Sequence, residues 1–329
     1  MLSSYILRRL VFMIPTLAAI SIVSFAIVHL PPGDFLETYI ATLEAEGADV
    51  NEVEIQNLRQ RYKLDDPIAV QYWQWITGIL FAGDFGWSFQ YQQPVSEVLW
   101  DRVGMTFVIS LASMIFVYVV AFPIGVYSAV RKYSLGDYVF TFLGFLGLAI
   151  PNFMLALVLM YTALTVFGQS VGGLFSPEFA DAPWSWAKFW DLIAHVWIPV
   201  IIIGTASTAG LIRVMRANLL DELSKPYVET ARAKGVSEGR LLMRYPVRLA
   251  LNPFVSQVGW ELPSLVSGAA ITSIVLNLPT TGPVLLIALK SQDMYLAGSF
   301  IMILSILTVI GTLLSDLLLA WLDPRIRYA

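Results

Sequence analysis

Long apolar runs alternate with shorter polar segments along this chain, and several of the runs are long enough to cross a lipid bilayer. A helix needs about 20 apolar residues to span a hydrocarbon layer of about 30 Å. Six such runs can be placed, and we predict one transmembrane helix in each: about 8–30, 104–130, 138–167, 193–212, 253–277 and 297–322. The pattern predicts an all-α membrane protein with six transmembrane helices.

A long polar segment, 213–252, interrupts the apolar pattern, and its residue order predicts two short helices outside the membrane. Pro226 suits a first helical turn, and Gly235 suits the left-handed conformation that ends a helix. Ser237 can cap the next helix at its N-terminus. We predict a helix–glycine–helix element that meets a partner, because a plain solvated loop would explain the charges but not this order of proline and glycine.

Composition agrees with the membrane class. Hydrophobic residues make up 57% of the chain and charged residues 13%, against about 45–50% apolar residues in ordinary globular domains. Cysteine is absent, which excludes a disulfide framework and a thiolate metal site. The first apolar run follows Arg8 and Arg9 as in a signal peptide. It is too long for one and lacks a small-residue cleavage site, so we expect it to be retained.

Basic residues are distributed unevenly among the polar segments, and this asymmetry predicts the orientation. Fourteen of the 20 Lys and Arg residues fall on one side if both termini are placed in the cytoplasm, where basic residues accumulate. The opposite side then carries sixteen of the 24 acidic residues. We therefore predict cytoplasmic N- and C-termini. We interpret the basic face as a sign of topology rather than of nucleic-acid binding.

The segments predicted on the outer side form a cap. It begins with an acidic, helix-forming stretch, 36–63, and continues into Gln71-Tyr72-Trp73-Gln74-Trp75, whose aromatic rings suit the headgroup region. We predict three parts: residues 1–33 with the first transmembrane helix, the periplasmic cap 34–103, and a core domain 104–329 with five transmembrane helices and the loop 213–252.

Motifs that would carry catalysis are missing. The sequence holds no G-x-x-x-x-G-K-[ST] phosphate loop, no H-E-x-x-H and no G-x-S-x-G elbow. We therefore predict no enzymatic activity and no cofactor in this chain. Glu261 stands out, because an acid inside a transmembrane helix costs about 2.5–3.5 kcal/mol and by default faces a cavity or a partner.

Several motifs resemble those of one transporter family. Tyr227-Val228-Glu229-Thr230-Ala231-Arg232-Ala233-Lys234-Gly235, followed by 244–253, resembles the cytoplasmic "EAA" loop of permease subunits of bacterial ATP-binding-cassette (ABC) importers, with Thr230 in place of the first alanine. Motifs over nearly the whole chain resemble the first permease of the dipeptide and oligopeptide branch: Ile6-Leu7-Arg8-Arg9-Leu10, Pro32-Gly33-Asp34, Asp65-Asp66-Pro67, Gly83-Asp84-Phe85-Gly86-Trp87-Ser88, Pro151-Asn152-Phe153 and Asp323-Pro324-Arg325-Ile326-Arg327.

The resemblance implies a multi-pass inner-membrane subunit with the type I ABC importer permease fold. It implies a homologous second permease, two cytoplasmic ATPases that bind ATP and Mg, and a periplasmic or lipid-anchored substrate-binding protein as partners. It further implies that one short helix docks on an ATPase and couples it to transport through Tyr227, Glu229, Thr230, Ala231, Arg232, Lys234 and Gly235. Glu229, Arg232 and Lys234 are predicted to pair with charges across that joint.

Alternating access, which the resemblance also implies, requires a substrate path between the two permeases. We predict that polar side chains inside the spans line this path: Asn152, Ser207, Trp260, Glu261, Ser264 and Ser267. The predicted substrate is a peptide, and an oligosaccharide is the alternative because some relatives in the branch resemble sugar importers. An ion-coupled transporter or an intramembrane hydrolase would also be polytopic. The helix–glycine–helix element is evidence against an ion-coupled transporter, and the missing nucleophile and metal motifs are evidence against a hydrolase.

Overall fold

The computed structural model describes residues 2–29, 40, 56, 66–167, 172–180 and 182–322, without the side chains of 2–6, 10, 260, 262–268, 315 and 319–322. The predicted acidic stretch 36–63 lies outside the described residues apart from 40 and 56. The C-terminal motif at 323–327 lies outside them as well. The described part of the chain is almost entirely helical, as the apolar pattern predicts.

Helices follow one another along the described chain, with one short hairpin. In order they are α1 Leu2–His29, α2 Ile68–Thr77, α3 Val95–Val130, α4 Leu135–Ala149, α5 Asn152–Phe167, α6 Trp186–Leu223, α7 Pro226–Ala233, α8 Glu238–Arg244, α9 Pro246–Ser256, α10 Val258–Val275, α11 Thr281–Lys290 and α12 Met294–Leu322. A π-helical turn, Gly78–Ala82, continues α2, and strands β1 Trp87–Ser88 and β2 Gln93–Pro94 precede α3.

Four helices among the described residues are long and apolar enough to cross a membrane: α1 over Leu7–His29, α3, α6 and α12 over Met294–Leu318. A fifth candidate is the pair α4 and α5, which is bent by 102°. The bend falls at Pro151, because a proline disfavours the helical conformation in the residue before it, and Ile150 is extended.

Two of the predicted spans therefore differ from the structure. The span at 138–167 is a broken pair of helices rather than one continuous helix. The span at 253–277 is divided between α9 and α10, neither of which belongs to the five candidates. The count of six transmembrane helices remains a prediction.

Residues Arg8–Met105 and Thr280–Leu307 form one compact unit, in which a buried acid joins the hairpin to the start of α12. Asp293 accepts hydrogen bonds from the Ser88 hydroxyl at 2.7 Å, the Gln90 N–H at 3.1 Å and the Leu296 N–H at 3.2 Å. Burial raises the pKa of Asp293, and these donors oppose that rise. Ser88 belongs to the Gly83–Ser88 motif, so part of this motif serves the fold.

The second unit comprises Met1–Leu7, Thr106–Pro279 and Thr308–Ala329, and α6 is its longest helix. An α-helix rises about 1.5 Å per residue, so the 38 residues of α6 exceed the thickness of the hydrocarbon layer. One face of α6 packs on α3, and Gly204 permits the approach. A Cβ atom at Gly204 would lie 2.9 Å from the Phe116 ring and 3.1 Å from Val117.

An ion pair fixes α4 to α6. Arg216 donates from Nε to Oδ1 of Asp137 at 2.9 Å and from Nη2 to Oδ2 at 2.8 Å. The carboxylate is 2% exposed and also accepts the Tyr133 N–H at 2.9 Å. Ser134 caps α4 by accepting the Asp137 N–H at 3.2 Å. The turn 131–134, α4 and α6 are thus tied together at one carboxylate.

Candidate functional site: a helix–glycine–helix element

The polar segment folds into two short helices, α7 and α8, which form the helix–glycine–helix element at 226–244. Lys225 is extended, with φ −77° and ψ 146°, and Pro226 occupies the first turn of α7. A proline costs nothing there, since the first N–H groups of a helix have no intrahelical partner. The predicted start of this helix is confirmed.

A left-handed glycine ends α7, as predicted. Gly235 has φ +77°. Its N–H donates to the carbonyl oxygen of Arg232 at 3.0 Å, and the Val236 N–H donates to that of Ala231 at 3.3 Å. These two bonds form a Schellman motif, which satisfies carbonyls that the helix end would leave free. Ser237 occupies the N-cap position of α8, but its side chain makes no capping hydrogen bond.

Arg232 and Glu238 join α7 to α8 across the glycine turn. The guanidinium donates from Nε to Oε1 at 2.6 Å and from Nη2 to Oε2 at 3.2 Å. Its hydrogen bond holds the pKa of Glu238 below the ordinary value. Both side chains are exposed. In this structure Arg232 pairs within its own chain, and its pairing with a charge on a partner stays a prediction.

The helix α7 has an anchored side and a free side. Val228 is fully buried, and the half-buried Tyr227 donates to Oε2 of Glu222 at 2.5 Å. Burial and this bond raise the pKa of Tyr227. The predicted coupling residues Glu229, Thr230 and Lys234 are exposed, and Ala231 is half-buried. A short helix held on one side can present the other to a partner.

Sequence reasoning missed exposed apolar side chains in the last turn of this element and just after it. Met243, Tyr245 and Leu249 are 56%, 37% and 48% exposed. They lie in the polar stretch that follows Gly235, and their burial could not be judged from spacing in so short a helix. Exposed apolar side chains beside charged ones are typical of an interaction surface.

The segments before and after the element pack on each other. The helix α6 leads into α7, and α9 follows α8. Buried side chains of the two flanking helices share one apolar core: Leu211, Met215 and Leu219 of α6, and Val247, Ala250 and Phe254 of α9. The element is therefore held at both ends by one packed pair of helices.

Three helices of the same unit carry the predicted path residues, and α5, α6 and α10 pack against one another. Ser207 of α6 lies near the Glu261 carboxylate on α10. One oxygen of this carboxylate, Oε2, is buried and has no hydrogen-bond partner among the described residues. Asn152 is half-buried at the start of α5. The side chains of Trp260, Ser264 and Ser267 lie outside the described part of the chain.

Comparison with known proteins defines the class. The family "binding-protein-dependent transport system inner membrane component" matches residues 121–328, and the N-terminal region of such membrane components matches residues 1–112. The chain belongs to this family. It is therefore a permease subunit of an ABC importer rather than an enzyme, and ATP hydrolysis belongs to separate subunits.

Relatives are similar over the full length. The oligopeptide transport system permease protein AppB of Bacillus subtilis is 35% identical over 331 residues, covering 99% of this chain and 100% of the relative. The dipeptide transport system permease protein DppB of Alkalihalophilus pseudofirmus is 30% identical, covering 99% of each chain. A chain of the inward-facing MetNI methionine ABC transporter has a TM-score of 0.49 at 16% identity, covering 70% of this chain and 96% of that one.

Proposed function

We propose that this chain forms half of the translocation path of a type I importer for peptides, in the inner membrane. A second permease supplies the other half, two cytoplasmic ATPases drive the transport, and an external binding protein delivers the peptide. Membership of the permease family and full-length similarity to the oligopeptide and dipeptide permeases support this assignment.

The structure of the helix–glycine–helix element supports its role in coupling. The free side of α7 is charged, whereas Val228 is fully buried on its other side. The Schellman motif at Gly235 and the Arg232–Glu238 ion pair hold α7 against α8. An ATPase that binds the free side therefore pulls on a stiff unit rather than on a flexible loop.

Motion of α7 reaches the path through the two flanking helices. The helix α6 carries Ser207, and two residues separate its end at Leu223 from the start of the coupling helix at Pro226. On the other side, α9 leads into α10, whose first turn holds Glu261 through an N–H bond to the Gln257 carbonyl at 2.9 Å. Because α6 and α9 share a core, a pull on the element displaces both polar groups together.

Uptake by the assembled importer tests the function. The permease pair and both ATPases are reconstituted in liposomes with ATP on the cytoplasmic side, and a labelled tripeptide is offered with the binding protein. We expect ATP-dependent accumulation of the peptide. Accumulation of an oligosaccharide but of no peptide would overturn the substrate assignment, and accumulation without the ATPases would overturn the class of transport.

Cross-linking tests the docking surface. Because the chain has no cysteine, Ala233→Cys introduces a single thiol at the exposed end of α7. We expect it to cross-link to an ATPase subunit through a short linker that carries a maleimide for this thiol and an activated ester for lysine amines of the ATPase. Trp73→Cys is the control, since Trp73 is 67% exposed on the predicted outer side. Absence of a product from Ala233→Cys in a complex that transports would contradict the docking assignment.

A further inference from the structure

A groove of about 270 Å³ lies between α4 and α6, away from the helix–glycine–helix element. Its walls are mostly apolar, with Phe140, Phe145, Ala209 and Ile212 among the lining residues. Phe145 is 57% exposed, so this wall reaches the protein surface. The groove is thus a lateral cleft suited to an extended hydrocarbon chain.

Arg213 lines the groove, and Lys132 lies beside it on a lining residue; neither has an acidic partner among the residues that the structure describes. The Arg213 guanidinium lies over the Phe145 ring, 5.1 Å from its centroid. The Lys132 ammonium lies over the ring of Tyr133, another lining residue, at 4.6 Å. The remaining cation, Arg216, is neutralised by Asp137. The groove therefore has a net positive charge, carried by side chains that rest on aromatic faces.

Arg213 lies where α6 changes from apolar to polar. No Asp, Glu, Lys or Arg occurs between Asp191 and Arg213, and Ala209 is one turn before Arg213 on the same helix. In a membrane-spanning helix such a boundary lies at the level of the lipid headgroups. The apolar walls then face the acyl region, and the charged end faces the phosphates.

We propose that this groove binds an anionic phospholipid. The phosphodiester lies between Arg213 and Lys132, and an acyl chain lies along Phe145 and Ala209. A free phosphate would use only the charged end and would leave the apolar walls exposed. Basic pockets between transmembrane helices are known to take anionic headgroups, and each nearby Lys or Arg favours an anionic over a zwitterionic lipid by about fivefold.

Competition between two lipids tests the proposal. The full chain is purified in detergent and incubated with equal amounts of phosphatidylglycerol and phosphatidylcholine of the same acyl chains, and bound lipid is counted by native mass spectrometry. We expect retained phosphatidylglycerol to exceed phosphatidylcholine. Arg213→Gln and Lys132→Gln should each lower that ratio about fivefold. Arg213→Lys should keep most of it, because the charge is kept.

Arg248→Gln is the matched control, since Arg248 is exposed on α9 and does not line the groove. An unchanged lipid ratio in both Gln variants would overturn the proposal. Displacement of phosphatidylglycerol by millimolar inorganic phosphate would overturn it as well, because the site would then bind free phosphate. A third contrary result would be a cross-link from Tyr138→Cys to the second permease in the assembled importer, since a protein would then cover the groove.

Discussion

Gly235 constrains the chain through its backbone conformation. A Cβ atom at Gly235 would meet nothing within 4 Å, so a side chain there is excluded by conformation and not by space. At φ +77° a non-glycine residue costs about 1–3 kcal/mol, and a β-branched one is at the upper end. Any loss of peptide uptake in a Gly235 variant therefore results from a change in the turn itself.

We predict that Gly235→Val uncouples the importer. The assembled complex should hydrolyse ATP with little peptide uptake, or should lose its ATPases during purification, because the strained turn no longer holds α7 against α8. The measurements are uptake per ATP hydrolysed and subunit stoichiometry. Gly239→Val is the control: a Cβ there also meets nothing within 4 Å, but Gly239 lies inside α8 without a positive φ. Normal uptake by Gly235→Val would contradict the prediction.

Glu261 is the second residue for which we make a specific prediction. Its carboxylate lies near Ser207, and Oε2 is buried without a hydrogen-bond partner among the described residues. A carboxylate facing hydrocarbon costs about 2.5–3.5 kcal/mol, so we infer that water or substrate reaches it during transport. Glu261→Gln should reduce peptide uptake several-fold while expression and assembly change little.

A thiol at position 261 distinguishes a residue that lines the path from a buried structural residue. Glu261→Cys should react with a small water-soluble maleimide, and the rate should change when ATP is trapped on the ATPases. Ile271→Cys is the control on the same helix, because Ile271 is apolar and 61% exposed, and it should stay unreactive in every state. A Glu261→Cys thiol that never reacts, in a complex with full uptake, would show that the path lies elsewhere.

At the scale of elements, the joint between α4 and α6 is expected to depend on one carboxylate. Asp137→Asn keeps the shape of the side chain but removes the negative charge to which Arg216 and the Tyr133 N–H donate hydrogen bonds. Buried hydrogen bonds to charged groups are worth about 1.5–3 kcal/mol, so the thermal midpoint of the purified chain should fall. Arg232→Gln, which breaks an exposed pair, should change the midpoint far less. Equal effects of the two variants would contradict the assigned role of burial.

Much of the element order follows from local rules. Proline at the first turn and glycine beyond the last turn gave the bounds of α7, because both residues act through their own backbone angles. Local rules did not predict the 102° bend at Pro151, because a proline inside an apolar run is compatible with a kinked helix, a broken helix or the end of a helix. The Asp137–Arg216 pair joins residues 79 apart, and no spacing rule connects such positions.

The predicted path residues likewise include one position that local rules identify and a contact that they do not. Glu261 was singled out because an acid in an apolar run is costly, and that argument needs no partner. Its proximity to Ser207 depends on how α6 and α10 pack, which the apolar pattern alone does not determine. The Arg232–Glu238 pair was missed for a related reason, since their approach depends on the glycine turn between them.

At the scale of the whole molecule, ATP hydrolysis requires subunits other than this one. The sequence carries no phosphate loop to hold the nucleotide, and the chain belongs to a permease family. We predict that the chain purified alone hydrolyses ATP no faster than a mock preparation. Adding the ATPase pair should restore hydrolysis, whereas a pair with its phosphate-loop lysine replaced should not. Hydrolysis by the chain alone that survives further purification would contradict this.

The last prediction concerns topology, and the cysteine-free chain permits a clean test. Single thiols are introduced as Trp73→Cys, Lys132→Cys, Arg248→Cys and Lys290→Cys, all at exposed positions. With both termini in the cytoplasm and six spans, a membrane-impermeant maleimide added to spheroplasts should label the first and last of these. The other two should react only after permeabilisation.

The pairs of positions distinguish the span counts. Positions 248 and 290 flank α10, so opposite labelling means that this helix crosses the membrane, while equal labelling would reduce the count. Positions 132 and 248 flank the bent pair α4 and α5 together with α6. They share a side only if the bent pair crosses once, because a re-entrant pair would leave α6 as the sole crossing between them. Labelling of 132 and 248 from opposite sides would therefore show that the break at Pro151 turns the chain back.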